Sequence, residues 1–232
     1  MKRRPPKHNV RRVAHINHNM RGVTLSKNGE TIQYESLQEF LLICLLERNP
    51  RVQAYRSQPL TIAFRDDDGK DHRYTVDFEV WLTDGSVEIH EVTVSGRRST
   101  LSAIRREIAA RDMCNRKGWK YVVHTELTLP RETESANLIT LYGFRAPIYA
   151  NPAVKRFVVG NITAMPINLA ALAQEIASGL QLSIGDVTAA LCHLIWREEL
   201  LVDENKLLFI DAVFSSSAVA WQPPQQAAGA VA

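Results

Sequence analysis

The sequence predicts an α/β protein in which helices pack on a β-sheet, followed by a smaller helical unit. Two helical patterns, Leu37–Glu47 and Thr100–Lys117, alternate with runs rich in β-branched and aromatic residues, as in a sheet covered by helices. From Asn168 onward the pattern changes to two short helices and a hairpin. The chain has 232 residues, 45% hydrophobic and 23% charged, which fits one large or two small globular domains.

The first elements carry clear turn and cap signals. Val23–Tyr34 predicts a hairpin that turns at Asn28-Gly29, a dipeptide that favours two-residue hairpin turns. The first helix follows Ser36, and Glu39, three residues later, completes a capping box. Arg51–Phe64 then returns to strand character.

The central stretch predicts a hairpin with arms Tyr74–Leu82 and Val87–Val94 and a turn at Asp84-Gly85. Strand alternation places Asp77 on one face of the first arm and Glu91 on one face of the second. Two neighbouring carboxylates repel each other, and a divalent cation removes that repulsion. The pair is therefore either a metal site or two ordinary surface acids, and the hairpin alone favours the surface acids.

The second helix is expected to end at Gly118, a common residue after a helix C-terminus. A short buried strand, Trp119–His124, follows it. The helix is basic outside its apolar face. The residues expected on the buried face are Ile104, Ile108, Ala109 and Met113.

The C-terminal pattern predicts a winged helix. It consists of helices Leu169–Ser178 and Ile184–Glu199, followed by two short strands within Leu200–Phe214. The second helix offers only His193 and Arg197 as obvious contacts to nucleic acid. Docking of a protein is thus at least as well supported as docking of DNA.

Net charge is only +3, but the N-terminus is strongly basic. Eight cations precede the first acidic residue, Glu30: Lys2, Arg3, Arg4, Lys7, Arg11, Arg12, Arg21 and Lys27. This arm predicts phosphate contacts, with a solubilising or targeting tail as an equal alternative. No apolar run is long enough to span a membrane, no secretory signal is expected, and three separate cysteines favour a reducing compartment.

Several short motifs occur in a characteristic order. They are S-L-Q-E at Ser36–Glu39, V-Q-A-Y-R-S-Q-P at Val52–Pro59, V-D-F at Val76–Phe78 and E-V-T at Glu91–Thr93. In order and spacing, over roughly Arg21–Phe214, the chain resembles TnsA, the endonuclease subunit of heteromeric cut-and-paste transposases. The resemblance implies a restriction-endonuclease-like core with a PD-(D/E)xK-type site and a C-terminal winged-helix domain.

The resemblance also implies a division of the chain. We expect a basic flexible arm over residues 1–22 and a nuclease-like α/β domain over 23–150. A winged-helix-like domain over 151–214 and a disordered tail over 215–232 follow, the tail because it is rich in Ala, Gln and Pro.

By position, Glu39, Asp77 and Glu91 match the acidic residues of the family, and the resemblance implies that they bind Mg²⁺, with Mn²⁺ as a substitute. Thr93 stands where the family has its catalytic lysine, and a threonine cannot supply a positive charge. Either another cation takes that role or the site cuts weakly or not at all. The candidate cations are Arg97, Arg98, Arg105 and Arg106.

The resemblance implies a subunit that cuts double-stranded DNA at transposon ends together with a partner transposase and an AAA+ ATPase regulator. We expect it in the bacterial cytoplasm, associated with the nucleoid and not with a membrane. The predicted DNA contacts are Arg3, Arg4, Lys7, Arg11, Arg12, Arg97 and Arg98. A catalytically silent DNA-binding or assembly subunit is the alternative function, and an unrelated defence or repair protein of nuclease fold is the third.

Overall fold

The computed structural model describes residues 21–66, 68–162, 165–210 and 213–223. The chain divides into two compact units between Pro130 and Arg131, earlier than the boundary expected at residue 150. The division falls earlier because residues 131–150 contain a helix that packs on the C-terminal unit. Most of the basic arm, including its five predicted DNA contacts, lies outside the described residues.

The first unit is a mixed α/β structure, as the sequence predicts. Its main sheet has four strands in the order β3-β6-β7-β8, antiparallel except for the parallel pair β7–β8. Two separate hairpins, β1–β2 and β4–β5, accompany it. The elements are β1 Gly22–Leu25, β2 Thr31–Tyr34, α1 Leu37–Arg48, β3 Val52–Ser57, β4 Thr61–Arg65, β5 Asp71–Thr75, β6 Phe78–Leu82, β7 Val87–Val92, α2 Leu101–Lys117 and β8 Lys120–His124.

The predicted turns and caps of this unit are confirmed. Gly29 and Gly85 occupy hairpin turns with φ of 80° and 89°, a region that glycine enters without steric cost. The Ser36 side chain accepts a hydrogen bond from the Glu39 N–H at the start of α1. Helix α2 starts after Thr100 and ends at Gly118 in the left-handed conformation.

Two expectations for this unit are corrected. The first arm of the central hairpin is shorter than predicted, because Tyr74 belongs to β5 and pairs with Ile62 of β4. The buried face of α2 does not include Ile104 or Ile108, which are 43% and 55% exposed. Met113 is buried as expected, but Ala110 and Cys114 take the place of the two isoleucines, because the sheet contacts a stripe offset from the one that the sequence favours.

The second unit combines four helices with a small antiparallel sheet in the order β10-β13-β9. Its core is formed mainly by the apolar faces of the third and fourth of these helices. A separate short hairpin is formed by β11 and β12. The elements are α3 Glu132–Tyr142, α4 Pro152–Asn161, β9 Ile167–Asn168, α5 Leu169–Leu180, α6 Ile184–Trp196, β10 Leu201–Val202, β11 Phe209–Ile210, β12 Val213–Phe214 and β13 Val219–Trp221.

The predicted disordered tail is wrong for its first part. Val219–Trp221 form β13, the central strand of the small sheet, which pairs with β9 on one side and with β10 on the other. Composition alone misleads here, because the strand is only three residues long and its partners are distant in sequence. Residues 224–232 lie outside the described residues.

His193 is also not the exposed contact that the sequence suggests. It is 8% exposed, and its Nδ1 lies 2.8 Å from the carbonyl oxygen of Phe144. Of the two expected nucleic-acid contacts on this helix, only Arg197 is on the surface.

No helix in the described parts of the chain has both the length and the apolar character needed to cross a membrane.

Candidate active site

Three polar residues lie side by side at one end of the main sheet. Extending the β3–β6 register by one residue beyond Ser57↔Phe78 places Gln58 opposite Asp77. Extending the β6–β7 register beyond Phe78↔His90 places Asp77 opposite Glu91. The fold therefore brings together the two acids that the sequence places on separate arms, with Gln58 as a neighbour that the sequence analysis did not single out.

Asp77 lies in an environment that disfavours its charge. Burial raises its pKa well above the ordinary value, and the nearby carboxylates of Glu91 and Glu39 raise it further. The N–H of Val92 donates to Asp77 Oδ2 at 2.7 Å and opposes that rise, which holds the side chain against β7. Without a cation, this carboxyl group is stabilised in its protonated form.

Glu91 shares this environment. Burial raises its pKa to about 7, against the opposing influence of the Arg106 guanidinium and a backbone hydrogen bond from Asp77. Among the described residues, its Oε2 is buried without a hydrogen-bond partner. Burying an unpaired carboxylate oxygen is costly, so the arrangement favours either a proton or a metal ion at this position.

Glu39 approaches this pair from the first turn of α1, and it also closes the helix cap. Its Oε2 accepts a hydrogen bond from the Glu35 N–H at 2.9 Å, and its Oε1 accepts one from the Ser36 hydroxyl at 3.1 Å. Its charge nevertheless raises the pKa of both Asp77 and Glu91. Glu39 thus both caps α1 and lies close to the acidic pair.

Thr93 follows β7 directly and is half-buried. Its backbone N–H donates to the carbonyl oxygen of His124 at 2.9 Å, which continues the pairing with β8. His90, by contrast, lies on the opposite face of the sheet from Glu91, as the strand alternation predicts, and contacts Glu88 and His124.

The candidate cations differ in their partners. Arg98 Nη2 donates to both carboxylate oxygens of Glu107, at 2.9 and 3.0 Å. Arg105 Nη1 lies 3.3 Å from Asp66 Oδ2. Arg97 is exposed in a single 3-10 turn, Ser95–Arg97. None of these three is among the groups with the largest influence on the pKa of Asp77 or Glu91.

Arg106 is the candidate cation that acts on the acidic pair. It precedes Ala110 by four residues, so the two lie on the same side of α2, although Arg106 itself is exposed. Ala110 packs in the same cluster as Ile89, and Glu91 is the next residue along β7 on the face of Ile89. Helix register and strand alternation thus both place Arg106 toward Glu91, and its charge opposes the rise in the pKa of that glutamate.

The donor set has the chemistry of a site for a hard divalent cation. Carboxylate oxygens are the ligands that Mg²⁺ prefers, and the buried Oε2 of Glu91 has no protein partner in the described chain. The side chains do not form a closed cage: among the described residues, no three His, Cys, Asp or Glu are grouped tightly enough to hold a metal ion. Mg²⁺ commonly binds one or two carboxylates and keeps several waters, which suits an open acidic pair.

A protein-family model matches part of the chain. The model of the TnsA-like endonuclease N-terminal family matches residues 49–126. Over residues 49–126 the chain is similar to the N-terminal domain of TnsA-like endonucleases. This match includes Asp77, Glu91 and Thr93, whereas Glu39 precedes it. No curated protein matches the chain.

The surroundings of the acidic pair also contain residues that the sequence analysis missed. Gln58 is buried at the end of β3 beside Asp77, and Tyr74 is buried near Glu91, whose charge raises the pKa of the Tyr74 hydroxyl after burial has already raised it. Glu35 adds a further negative charge near Asp77. The only signal for Gln58 is its place before Pro59, which restricts its backbone.

Proposed function

We propose that this protein is the DNA endonuclease subunit of a transposition system, hydrolysing a phosphodiester at transposon ends with Mg²⁺ held by Asp77 and Glu91. The observation that carries the proposal is the pairing of these two carboxylates in the TnsA-like domain, where burial raises the pKa of both and repulsion from neighbouring carboxylates raises it further. A divalent cation would replace the protons and relieve that repulsion.

In this proposal each residue has a distinct task. Bound Mg²⁺ supplies Lewis-acid stabilisation of the phosphate charge and a bound water of lowered pKa. Asp77 and Glu91 hold the ion, and Glu39 orients its waters from the capped start of α1. Mn²⁺ can substitute, because it accepts the same oxygen ligands.

Arg106 takes the electrostatic role of the lysine that Thr93 replaces. A guanidinium stays protonated and can offset charge that develops on the phosphate, but it cannot accept the proton of the attacking water. The Thr93 hydroxyl can only donate to or accept a hydrogen bond from that water. This division of roles predicts a working but slower nuclease.

The fold and assembly follow from the same proposal. The first unit is a restriction-endonuclease-like core, and α4 to β13 form a winged helix, supported by two adjacent helices and a three-stranded sheet. The partners are double-stranded transposon ends, a transposase and an AAA+ ATPase regulator.

A winged helix with one exposed cation on its second helix suits a protein partner better than base recognition. The setting is the bacterial nucleoid.

The alternative function is a silent DNA-binding or assembly subunit, which the threonine at position 93 favours. Nicking of labelled transposon-end DNA, with partner proteins and Mg²⁺ or Mn²⁺ present, separates the two. We expect Asp77→Ala to abolish cutting and to remove Mg²⁺ binding in calorimetry. Robust cutting by Asp77→Ala would contradict the proposed site, and no cutting by wild type would favour the silent subunit.

The same assay tests the cation. Loss of one group that stabilises transition-state charge typically costs about 100- to 1,000-fold in rate, so Arg106→Ala should cut about that much more slowly. Adding Thr93→Lys to Arg106→Ala should restore cutting, since a lysine there supplies the missing charge. Arg116→Ala, near the other end of α2, is the matched control for lost helix charge. If Arg106→Ala cuts like Arg116→Ala, Arg106 does not have this role.

A further inference from the structure

Gln58 has an unusual backbone conformation beside the acidic pair. Its φ is +47°, although it is not a glycine, and its side chain is buried with 6% of the residue exposed. Such a conformation is costly for a residue with a long side chain and persists only where the surroundings hold it. Strained residues of this kind are concentrated at functional sites.

The contacts of Gln58 fix it to two acidic residues. Its backbone N–H donates to the carbonyl oxygen of Asp77 at 2.7 Å, and its Nε2 donates to Glu35 Oε1 at 3.2 Å. Its Oε1, in contrast, is buried and has no hydrogen-bond partner among the described residues. A buried acceptor without a donor costs free energy, so this oxygen is expected to accept a hydrogen bond from a bound ligand or water.

The chemistry of the neighbours indicates the class of ligand. Glu35, Glu39 and Glu91 all place negative charge near Asp77. A hydrated Mg²⁺ needs acceptors for its bound waters as well as direct ligands. An amide oxygen provides an acceptor without adding a fourth repelling carboxylate to that group.

We propose that Gln58 is a positioning residue whose amide oxygen accepts a hydrogen bond from the hydration shell of the divalent ion at Asp77 and Glu91. This inference rests on the proposed metal site and adds a residue to it. A purely structural role in the turn after β3 would require only the backbone N–H and the positive φ. Glycine provides both at lower cost, and the hydrogen bond from Nε2 to Glu35 still leaves the buried Oε1 without a partner in the described residues.

The test compares two substitutions that remove the amide oxygen but affect backbone strain differently. Gln58→Gly relieves the strain, whereas Gln58→Met keeps both the strain and the side-chain length. We expect both to bind Mg²⁺ about 10-fold more weakly in calorimetry, the size typical for loss of an outer partner of a metal site. In EDTA, Gln58→Gly should melt at or above the wild-type temperature.

Gln181→Gly is the matched control, because Gln181 has a φ of +53° at the end of α5, in the other unit. It should leave Mg²⁺ affinity unchanged. Wild-type affinity in both Gln58 variants would overturn the inference, as would weaker binding by Gln58→Met alone. Asp77→Ala separates the two proposals. If it binds Mg²⁺ like wild type, the proposed metal site fails; if it loses binding while the Gln58 variants keep it, only the role of Gln58 fails.

Discussion

At the scale of single residues, Asp77 and Glu91 are two buried carboxyl groups whose ionised forms are unfavourable without a bound cation. The fold raises the pKa of Glu91 to about 7, mainly through burial, from an ordinary value of 4.5. Between these two values the folded chain binds more protons than the unfolded chain does. The contribution of Glu91 to the stability of the metal-free protein therefore falls as the pH rises from about 4.5 to about 7.

This direction of the pH dependence gives a prediction for the stability of Glu91→Gln. At pH 8 without metal, the neutral amide removes the cost of a buried charge, so we expect the variant to be more stable than wild type by about 3 kcal/mol. At pH 4 the difference should largely disappear. Urea unfolding in EDTA at the two pH values measures it, and added Mg²⁺ should stabilise wild type but not the variant.

Glu88→Gln is a control that should change stability in the opposite direction. Burial opposes the charge of Glu88, but hydrogen bonds with His90 and Lys120 lower its pKa overall. This substitution should therefore reduce stability at pH 8. A stability gain in both variants would show that the measured effect is general removal of negative charge and not relief at the acidic pair.

At the scale of elements, the small sheet of the second unit depends on a strand from the end of the chain. Val219–Trp221 lie between β9 and β10, so removing them leaves both outer strands without a partner. Ala218 and Ala220 are fully buried, which adds lost packing to the lost hydrogen bonds.

A truncation after Ser217 should therefore unfold the second unit at a temperature lower by several degrees or more, since strand and core contacts are lost together. Circular dichroism melting of the two truncated chains is the measurement. A chain that ends at Pro223 keeps β13 and is the matched control. Equal melting of the two truncated chains would mean that β13 contributes little to the unit.

At the scale of the whole molecule, charge is distributed unevenly along the chain. The net charge is +3, yet eight cations precede the first acidic residue. The acidic pair lies in the first unit with one nearby arginine that offsets it. The acidic site repels phosphate until a metal ion binds. Under the proposed function, the DNA phosphates are therefore attracted mainly by surface cations and by the basic arm.

Deleting residues 2–20 should accordingly weaken binding to double-stranded DNA and flatten its dependence on salt. The deletion removes six of the eight leading cations, and each phosphate contact contributes about −0.9 to the slope of log affinity against log salt. Fluorescence anisotropy over a salt series gives that slope. An unchanged slope would show that the arm does not contact the DNA phosphates.

The sequence by itself determined the features that depend on neighbours along the chain. Asn28-Gly29 and Asp84-Gly85 fix turns, and Ser36 with Glu39 fixes the start of α1, because each signal acts within four residues. The order of the short motifs was also sufficient to indicate the TnsA-like domain that the family match confirms.

Tertiary structure alone decided which of these residues meet. The register of three strands places Gln58, Asp77 and Glu91 in one row, and the rotation of α2 on the sheet exposes Ile108 while turning Arg106 toward Glu91. Periodicity cannot give such results, because two offset apolar stripes on a helix fit the sequence equally well and only packing selects one. The strained φ of Gln58 likewise depends on contacts with residues distant in sequence, Asp77 and Glu35.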